Sequence, residues 1–352
     1  MAILAEDFVY VVGVDTHAQT HTAAVVDRTG AVLAEFSDTT DPAGLERLVE
    51  AARRAASGAR LWAVEQTGSY GAGLTALLGA LGETVVEIDR PARPARRRGK
   101  DDGLDALRAA REALSRAHLA SPRARGAREA LRVLLATRRA SVAARTAAIC
   151  QLKALVVTAP SALRRSLRGL PRAELVRTCS RLHLMQRHDE ERRAAVLALR
   201  ATARRIEHLA EEAAHLEAEL TRLVRGLCPQ LLGLPGLGVI TSAQLLVSWS
   251  HPGRIRSEAA FAALAGVAPL PASSGQVSRH RLSRQGDRQL NRALHNIVLV
   301  RLRHDRATRS YAARRAAEGR SLREIQRCLK RAVARQLFRF LERNARMALD
   351  AP

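Results

Sequence analysis

Four carboxylates in the first third of the chain stand where apolar runs stop or a helix starts: Asp15, Glu65, Asp102 and Asp105. The run Val11-Val12-Gly13-Val14 ends in Asp15, and Leu61-Trp62-Ala63-Val64 ends in Glu65. Runs of this kind read as strands buried on both faces. A lone Asp inside such a strand is costly, which puts Asp15 at the strand end, facing solvent or a metal. Asp102 and Asp105 sit three residues apart at the start of a helical stretch, so on a helix they share a face. Repulsion among carboxylates brought together is relieved by a divalent cation between them. Mg²⁺ takes a few carboxylates and completes its shell with water and phosphate oxygens. Two such ions roughly 3.5–4 Å apart can clamp the attacking and leaving oxygens of a phosphodiester. The four residues therefore point to a site for Mg²⁺, two ions in number, that handles phosphodiesters. This holds if the two strand ends are neighbours and the helix packs beside them. Each residue also has a plainer reading. Asp15 can be a solvated turn residue, and Asp102 and Asp105 can simply complement a helix dipole.

A second group of residues lies in the last third. Ser273-Ser274-Gly275 is followed by Arg279, His280, Arg281, Arg284 and Arg288. A serine in an arginine-rich loop can be a linker, a phosphate contact or a nucleophile whose phosphoserine the arginines stabilise. The residues alone leave these open. Leu232-Gly233-Leu234-Pro235-Gly236-Leu237-Gly238 opens a helix. It reads either as a helix-hairpin-helix turn presenting backbone N–H groups to a phosphate or as a tight interhelical turn. Arg96, Arg97, Arg98 and Lys100 form a basic loop just before Asp101-Asp102, a candidate nucleic-acid contact.

The elements that position these residues follow from local pattern. Thr22–Asp27 and Ala31–Phe36 are strands split by Asp27-Arg28-Thr29-Gly30, a hairpin signal. Asp41 to Ser57 carries Leu45, Leu48, Val49 and Ala52 at helical spacing, with Asp41 as N-cap and Pro42 in the first helical position. Leu74 to Leu81 reads as a helix and Thr84 to Ile88 as a strand. Residues 1–115 are thus expected to form a mixed α/β domain with a ribonuclease-H-like (RuvC-like) sheet. Residues 116–225 are expected to be a helical spacer and residues 226–352 a mainly helical C-terminal domain. Actin-like ATPases begin in a similar way, but no Gly-rich phosphate loops follow the first strand as that reading requires. Between 196 and 223, apolar residues recur at alternating steps of three and four from Val196 through Leu209 and Leu216 to Leu223. Such a seam predicts a coiled coil joining copies of the chain into a dimer or tetramer. The competing expectation is a long helix packed on 128–158 of the same chain.

Charge is divided unevenly. Over the 352 residues Lys+Arg outnumber Asp+Glu 58 to 34, for a net +24. Residues 1–105 carry a net −5 and residues 106–352 a net +29. That asymmetry indicates a polyanionic partner, most often nucleic acid. Cys150, Cys179, Cys228 and Cys328 are far apart and form no CxxC pair. They fit reduced thiols of a cytoplasmic protein better than a zinc site or a disulfide framework. No signal peptide is evident and no apolar run is expected to cross a membrane.

Taken together, the chain resembles the bacterial insertion-sequence 110/116/902 family, the DEDD transposases. The resemblance rests on Val-Gly-Val-Asp15-Thr-His, Val64-Glu65-Gln-Thr-Gly and Gly-Lys100-Asp101-Asp102-Gly-Leu-Asp105-Ala in the first half. In the second half it rests on Leu-Pro-Gly-Leu-Gly-Val-Ile-Thr, Ala-Gly-Val-Ala-Pro, Ser273-Ser274-Gly275 and Arg284-Gln285-Gly286-Asp287. It implies a RuvC-like DEDD domain, a coiled-coil spacer and a transposase domain with a catalytic serine. It also implies recombination of double-stranded DNA, at element ends and target, guided by a structured RNA. Where the family usually has Lys-Thr/Ser-Asp, this chain has Lys100-Asp101-Asp102. Spacing to Asp105 favours Asp102 over Asp101, and the position before Gly275 favours Ser274 over Ser273. Two other readings stay open. One is a RuvC-like metal nuclease using water, and the other is a non-catalytic nucleic-acid-binding scaffold.

Overall fold

A computed structural model describes residues 7–88, 102–185, 189–271, 280–281 and 286–349. Asp101, Ser273, Ser274 and the arginines 96–98, 279 and 284, with Lys100, lie outside the described residues, as does the side chain of Arg281. The chain divides into two compact units, Met1–Ala124 with Gly253–Ile255, and Arg125–Pro252 with Arg256–Pro352.

The first unit is built on a five-stranded mixed sheet. Strands β1 (Tyr10–Thr16), β2 (Thr20–Asp27), β3 (Val32–Thr39), β4 (Arg60–Glu65) and β5 (Thr84–Ile88) take the order β3-β2-β1-β4-β5. The first three form an antiparallel meander; β4 and β5 then add parallel to β1. The connections through helix α1 (Pro42–Ala55) and helix α2 (Ala72–Ala80) make that parallel pairing possible. Asp41 caps α1, its carboxylate accepting from the Gly44 amide at 3.1 Å. Successive strand residues point to opposite faces, and both faces of this sheet are covered. Val12, Val14, Trp62 and Val64 pack with Leu45, Leu48 and Leu74 of the first two helices. Val11, Leu61 and Ala63 pack with Ala106, Ala109, Ala110 and Ala113 of helix α3 (Asp102–Ser115). The alanine-rich face of α3 lets the helix lie close to the strands.

Among its described residues the second unit has helices and one short strand pair, β6 (Leu270–Pro271) and β7 (His280–Arg281). Its frame is α4 (Ala127–Thr158) against α7 (Glu190–Leu227), with α5 (Ser161–Leu167) and α6 (Arg172–Ser180) between them in sequence. Ala148, Leu152 and Val156 meet Val196, Leu199, Ala203 and Ile206, while Arg138 pairs with Glu217 at 2.6 Å, so the two long helices run antiparallel. Next come α8 (Val239–Trp249), α9 (Glu258–Leu264), α10 (Arg288–His304), α11 (Arg306–Ala317) and α12 (Leu322–Leu349). Helix α8 packs on α4, α7 and α10, which joins the spacer to the C-terminal segment in one unit.

Two expectations need correction. The 196–223 seam was expected to join separate chains, but Val196, Leu199, Thr202, Ile206, Ala213 and Leu220 are buried within the chain itself. A three-four alternation arises wherever one helix lies along another, and α4 is the partner here. Leu209, Leu216 and Leu223 remain half-buried. The second correction concerns apolar runs. By length and composition α4 is apolar enough to cross a membrane. Of its large apolar residues Leu131, Leu135, Leu152 and Val156 are buried, while Val133 and Val157 are exposed.

Candidate functional site

Register in the sheet decides where the first two carboxylates go. Gly13 lies opposite Ala63 and Val14 opposite Val64 on the parallel strands β1 and β4. The next step places Asp15 beside Glu65, on the face that carries Val11, Leu61, Ala63 and α3. Both side chains are buried. Thr16 Oγ1 donates to the Glu65 carbonyl at 3.3 Å, tying the two strand ends together. The chain then turns away at once. Gln66 takes φ +50°, and a Cβ on Gly71 would lie 2.8 Å from the Glu65 carbonyl oxygen. A non-glycine residue in the left-handed region costs about 1–2 kcal/mol, so this turn stores strain immediately beside Glu65.

Gly13 brings α3 to the same place. A Cβ there would stand 2.1 Å from the Ala106 carbonyl oxygen and 2.5 Å from the Ala110 nitrogen. Only glycine allows the backbone of α3 to rest on β1 at this depth. The first turn of α3 carries Asp102 and Asp105. Carboxylate oxygens of Asp15 and Asp102 and a ring nitrogen of His17 all lie within 4.8 Å of one another. His17 Nδ1 is 3.8 Å from Asp15 Oδ2 and 3.9 Å from Asp102 Oδ2. Asp105 accepts from Arg108 at 2.7 Å. Glu65 and Asp105 are outside the three-residue cluster. Two carboxylates and an imidazole within this span are a donor set for a divalent cation; the oxygens suit Mg²⁺, and the nitrogen also suits Mn²⁺ or Zn²⁺.

His17 is the member of this cluster that residue patterns did not single out. The signal was its position two residues after Asp15, which on a strand means the same face. Behind it, His21 is buried opposite Thr16. Burial holds the His21 ring below the ordinary histidine pKa against its hydrogen bond with the Thr20 carbonyl, and His17 acts in the same direction as burial.

In the second unit, the described part of the Arg-Gln-Gly-Asp motif is an anchor. Gly286 takes φ +93°, and a Cβ there would lie 2.3 Å from the Leu264 carbonyl oxygen. Asp287 caps α10, accepting from the Gln289 and Leu290 amides at 2.8 and 3.0 Å and from Ser248 Oγ at 2.6 Å. Arg288 follows on the exposed side. Asn291 donates to the Ala265 carbonyl at 2.7 Å and accepts from Lys330 at 3.2 Å. Burial, with Arg327 adding to it, lowers the Lys330 pKa. The Gly-rich turn is held similarly. Gly236 takes φ +80° against the Ile297 carbonyl, and Arg301 donates to the Pro235 carbonyl at 2.8 Å.

Comparison with known proteins finds two family models along the chain. Residues 12–159 match a DEDD family model of the IS110 type described as Transposase. Residues 228–313 match the model described as Transposase IS116/IS110/IS902 family. The chain is 35% identical over 114 residues to the "Insertion element IS110 uncharacterized 43.6 kDa protein" of Streptomyces coelicolor, covering 32% of this chain and 28% of that protein. It is 29% identical over 357 aligned positions to the "Insertion element IS900 uncharacterized 42 kDa protein" of Mycobacterium paratuberculosis, covering 88% of this chain and 89% of that protein. Two models of one family thus match in order, one over the carboxylate-bearing sheet and α4 and one from the Gly-rich turn into α11, and the protein belongs to the IS116/IS110/IS902 family of transposases.

Proposed function

We propose that this protein is the transposase of its own insertion element and cuts and rejoins double-stranded DNA at element ends and target. A structured RNA from the element serves as guide. The observation that carries the reading is the meeting of Asp15, His17 and Asp102 beside Glu65, on one face of the sheet. Asp15, Glu65, Asp102 and Asp105 are the metal set, with His17 as an added donor. A pair of Mg²⁺ ions bound there supplies charge stabilisation for the oxygens exchanging at phosphorus. The chain's own residues do the positioning. The β1 and β4 ends, tied through Thr16, fix Asp15 and Glu65, and the glycine contact of Gly13 fixes the helix that bears Asp102 and Asp105.

Ser274 is the nucleophile in this reading. Its Oγ forms a bond to phosphorus as the bond from phosphorus to the strand's bridging oxygen breaks; the serine proton passes to solvent, and the departing oxygen takes one up from solvent and leaves as the strand-end hydroxyl. The phosphoserine keeps the phosphodiester's energy, so another strand end can displace it and strands rejoin without hydrolysis. Arg279, Arg281, Arg284 and Arg288 hold phosphate oxygens, and Arg96, Arg97, Arg98 and Lys100 contact the nucleic acid near the carboxylates. The protein works in the cytoplasm at the nucleoid. It assembles as a dimer or tetramer.

The test incubates the protein with labelled duplex DNA from the flanks of its gene and traps covalent complexes in denaturant. A stable protein–DNA adduct is expected, absent in Ser274→Ala. Asp15→Asn should lose the adduct and also weaken Mn²⁺ binding measured by titration. Hydrolytic cleavage that persists in Ser274→Ala would reassign the protein as a metal nuclease. Binding without cleavage in any variant would leave a scaffold.

A further inference from the structure

Helix α12 carries arginines at 323, 327, 331, 335, 339 and 343, one every four residues. Two positions after each of the first five lies a buried residue: Ile325, Leu329, Val333, Leu337 and Leu341. Two residues on an α-helix are about 200° apart, so the arginine row stays opposite the core along its whole length. Both rows wind obliquely together. Arg323, Arg327, Arg335, Arg339 and Arg343 are exposed. At four residues per step the guanidinium-bearing positions climb about 6 Å and turn about 40°, so the row spans about 30 Å and turns about 200° round the helix, with three neighbouring arginines sharing one side.

Little negative charge answers this row. Glu258 receives Arg331, Arg335 and Arg339 at 3.7, 3.1 and 2.9 Å, so one carboxylate organises three cations. Glu324 is engaged with Ser321, accepting from its amide and hydroxyl, and Glu342 accepts from Trp249 Nε1 at 2.7 Å. Helix α12 also lies beyond both segments matched to the transposase family, 12–159 and 228–313.

We propose that the arginine row of α12 is a docking surface for the phosphate backbone of duplex DNA, independent of base sequence. Phosphates recur every ~3.4 Å of axis along each strand, so neighbouring arginines of the row, about 6 Å and 40° apart, can each meet a different phosphate. Guanidinium is the group best shaped to grip phosphate oxygens in pairs. Among the described residues of α12 no aromatic ring is exposed; Phe338 is buried and Phe340 half-buried. Sequence-specific RNA binding draws on aromatic stacking of splayed bases, which favours a DNA duplex over an RNA loop. The proposal rests on the reading of this protein as a DNA-acting transposase and names the surface that holds the duplex.

The test uses the full chain and a 30-base-pair duplex of arbitrary sequence, with affinity measured by fluorescence anisotropy across a salt series. The variant Arg323→Gln, Arg327→Gln, Arg343→Gln spares the three arginines tied to Glu258. It should flatten the log–log salt slope by roughly 2–3, at about 0.9 per lost phosphate contact. The control Arg193→Gln, Arg205→Gln, Arg225→Gln removes equal charge from exposed positions of α7 and should change the slope by less than about 1. Equal effects in the two triples would overturn the proposal, because net charge alone would explain them. An unchanged slope in a ridge variant with native circular dichroism would also overturn it, as would a loss seen with an RNA hairpin but not with duplex DNA. Failure of the unaltered chain to bind duplex DNA would instead bring down the functional reading together with the surface.

Discussion

At the scale of single residues, Gly13 does more than any other position to build the candidate site. Its missing side chain sets how deeply α3 rests on β1 and therefore where Asp102 stands relative to Asp15 and His17. Gly13→Ala must push a Cβ into the Ala106 carbonyl, and neither partner is a flexible side-chain tip. Overpacking of this kind costs about 3 kcal/mol. Thermal unfolding should show the loss, together with weaker Mn²⁺ binding as Asp102 moves away. A variant of native stability would mean that α3 is free to shift. Strand ends explain Asp15 and Glu65 from local pattern alone. His17 was hidden because a histidine after a strand has many uses and only the fold brings Asp102 to it.

At the scale of elements, the first unit's sheet has an ionic clamp remote from the carboxylates. Glu83 accepts from Arg60, Arg53 and Trp62 at the start of β5, with Arg60 Nη2 at 2.6 Å and Trp62 Nε1 at 3.0 Å. Burial opposes ionisation of Glu83, but the bonds from Arg60, Trp62 and Arg53 outweigh it and hold the carboxyl below its ordinary value of 4.5. A carboxylate with a depressed pKa in the fold contributes stability above its unfolded value. That contribution fades as pH falls from 4.5 through the folded value. Glu83→Gln should therefore lower unfolding free energy by about 2 kcal/mol at pH 7. In urea titrations the gap between wild type and variant should narrow as pH drops below 4.5. A gap independent of pH would show that packing, not charge, holds the clamp. The long-helix seam teaches the complementary lesson. Its period was plain, but period specifies a stripe and leaves the partner open.

At the scale of the whole molecule, the division of charge follows the division of chemistry. The carboxylates lie in a segment of net −5, residues 1–105, and the remaining 247 residues carry net +29. For a DNA-acting protein this predicts steep salt dependence. The log–log slope of duplex binding should be at least about −5, reflecting six or more neutralised phosphates at −0.9 each. Anisotropy titrations between low and moderate salt measure it, and a slope near −1 would mean that the basic surplus is not used on the duplex.

The amino-acid sequence determined the local features of this protein: strands that end in Asp15 and Glu65, an Asp41 cap, a helix that starts with Asp102 and Asp105, and a regular stripe on α7. These depend on neighbours within a few residues, through a strand period of two and a helix period of 3.6. Tertiary structure decided which faces meet. It set α3 on Gly13, gathered His17 with Asp15 and Asp102, paired the α7 stripe with α4 of the same chain and turned the α12 arginines away from the core. Those outcomes depend on burying several apolar faces at once. No short window of sequence carries that condition, because each face can be satisfied by more than one partner until the whole chain packs.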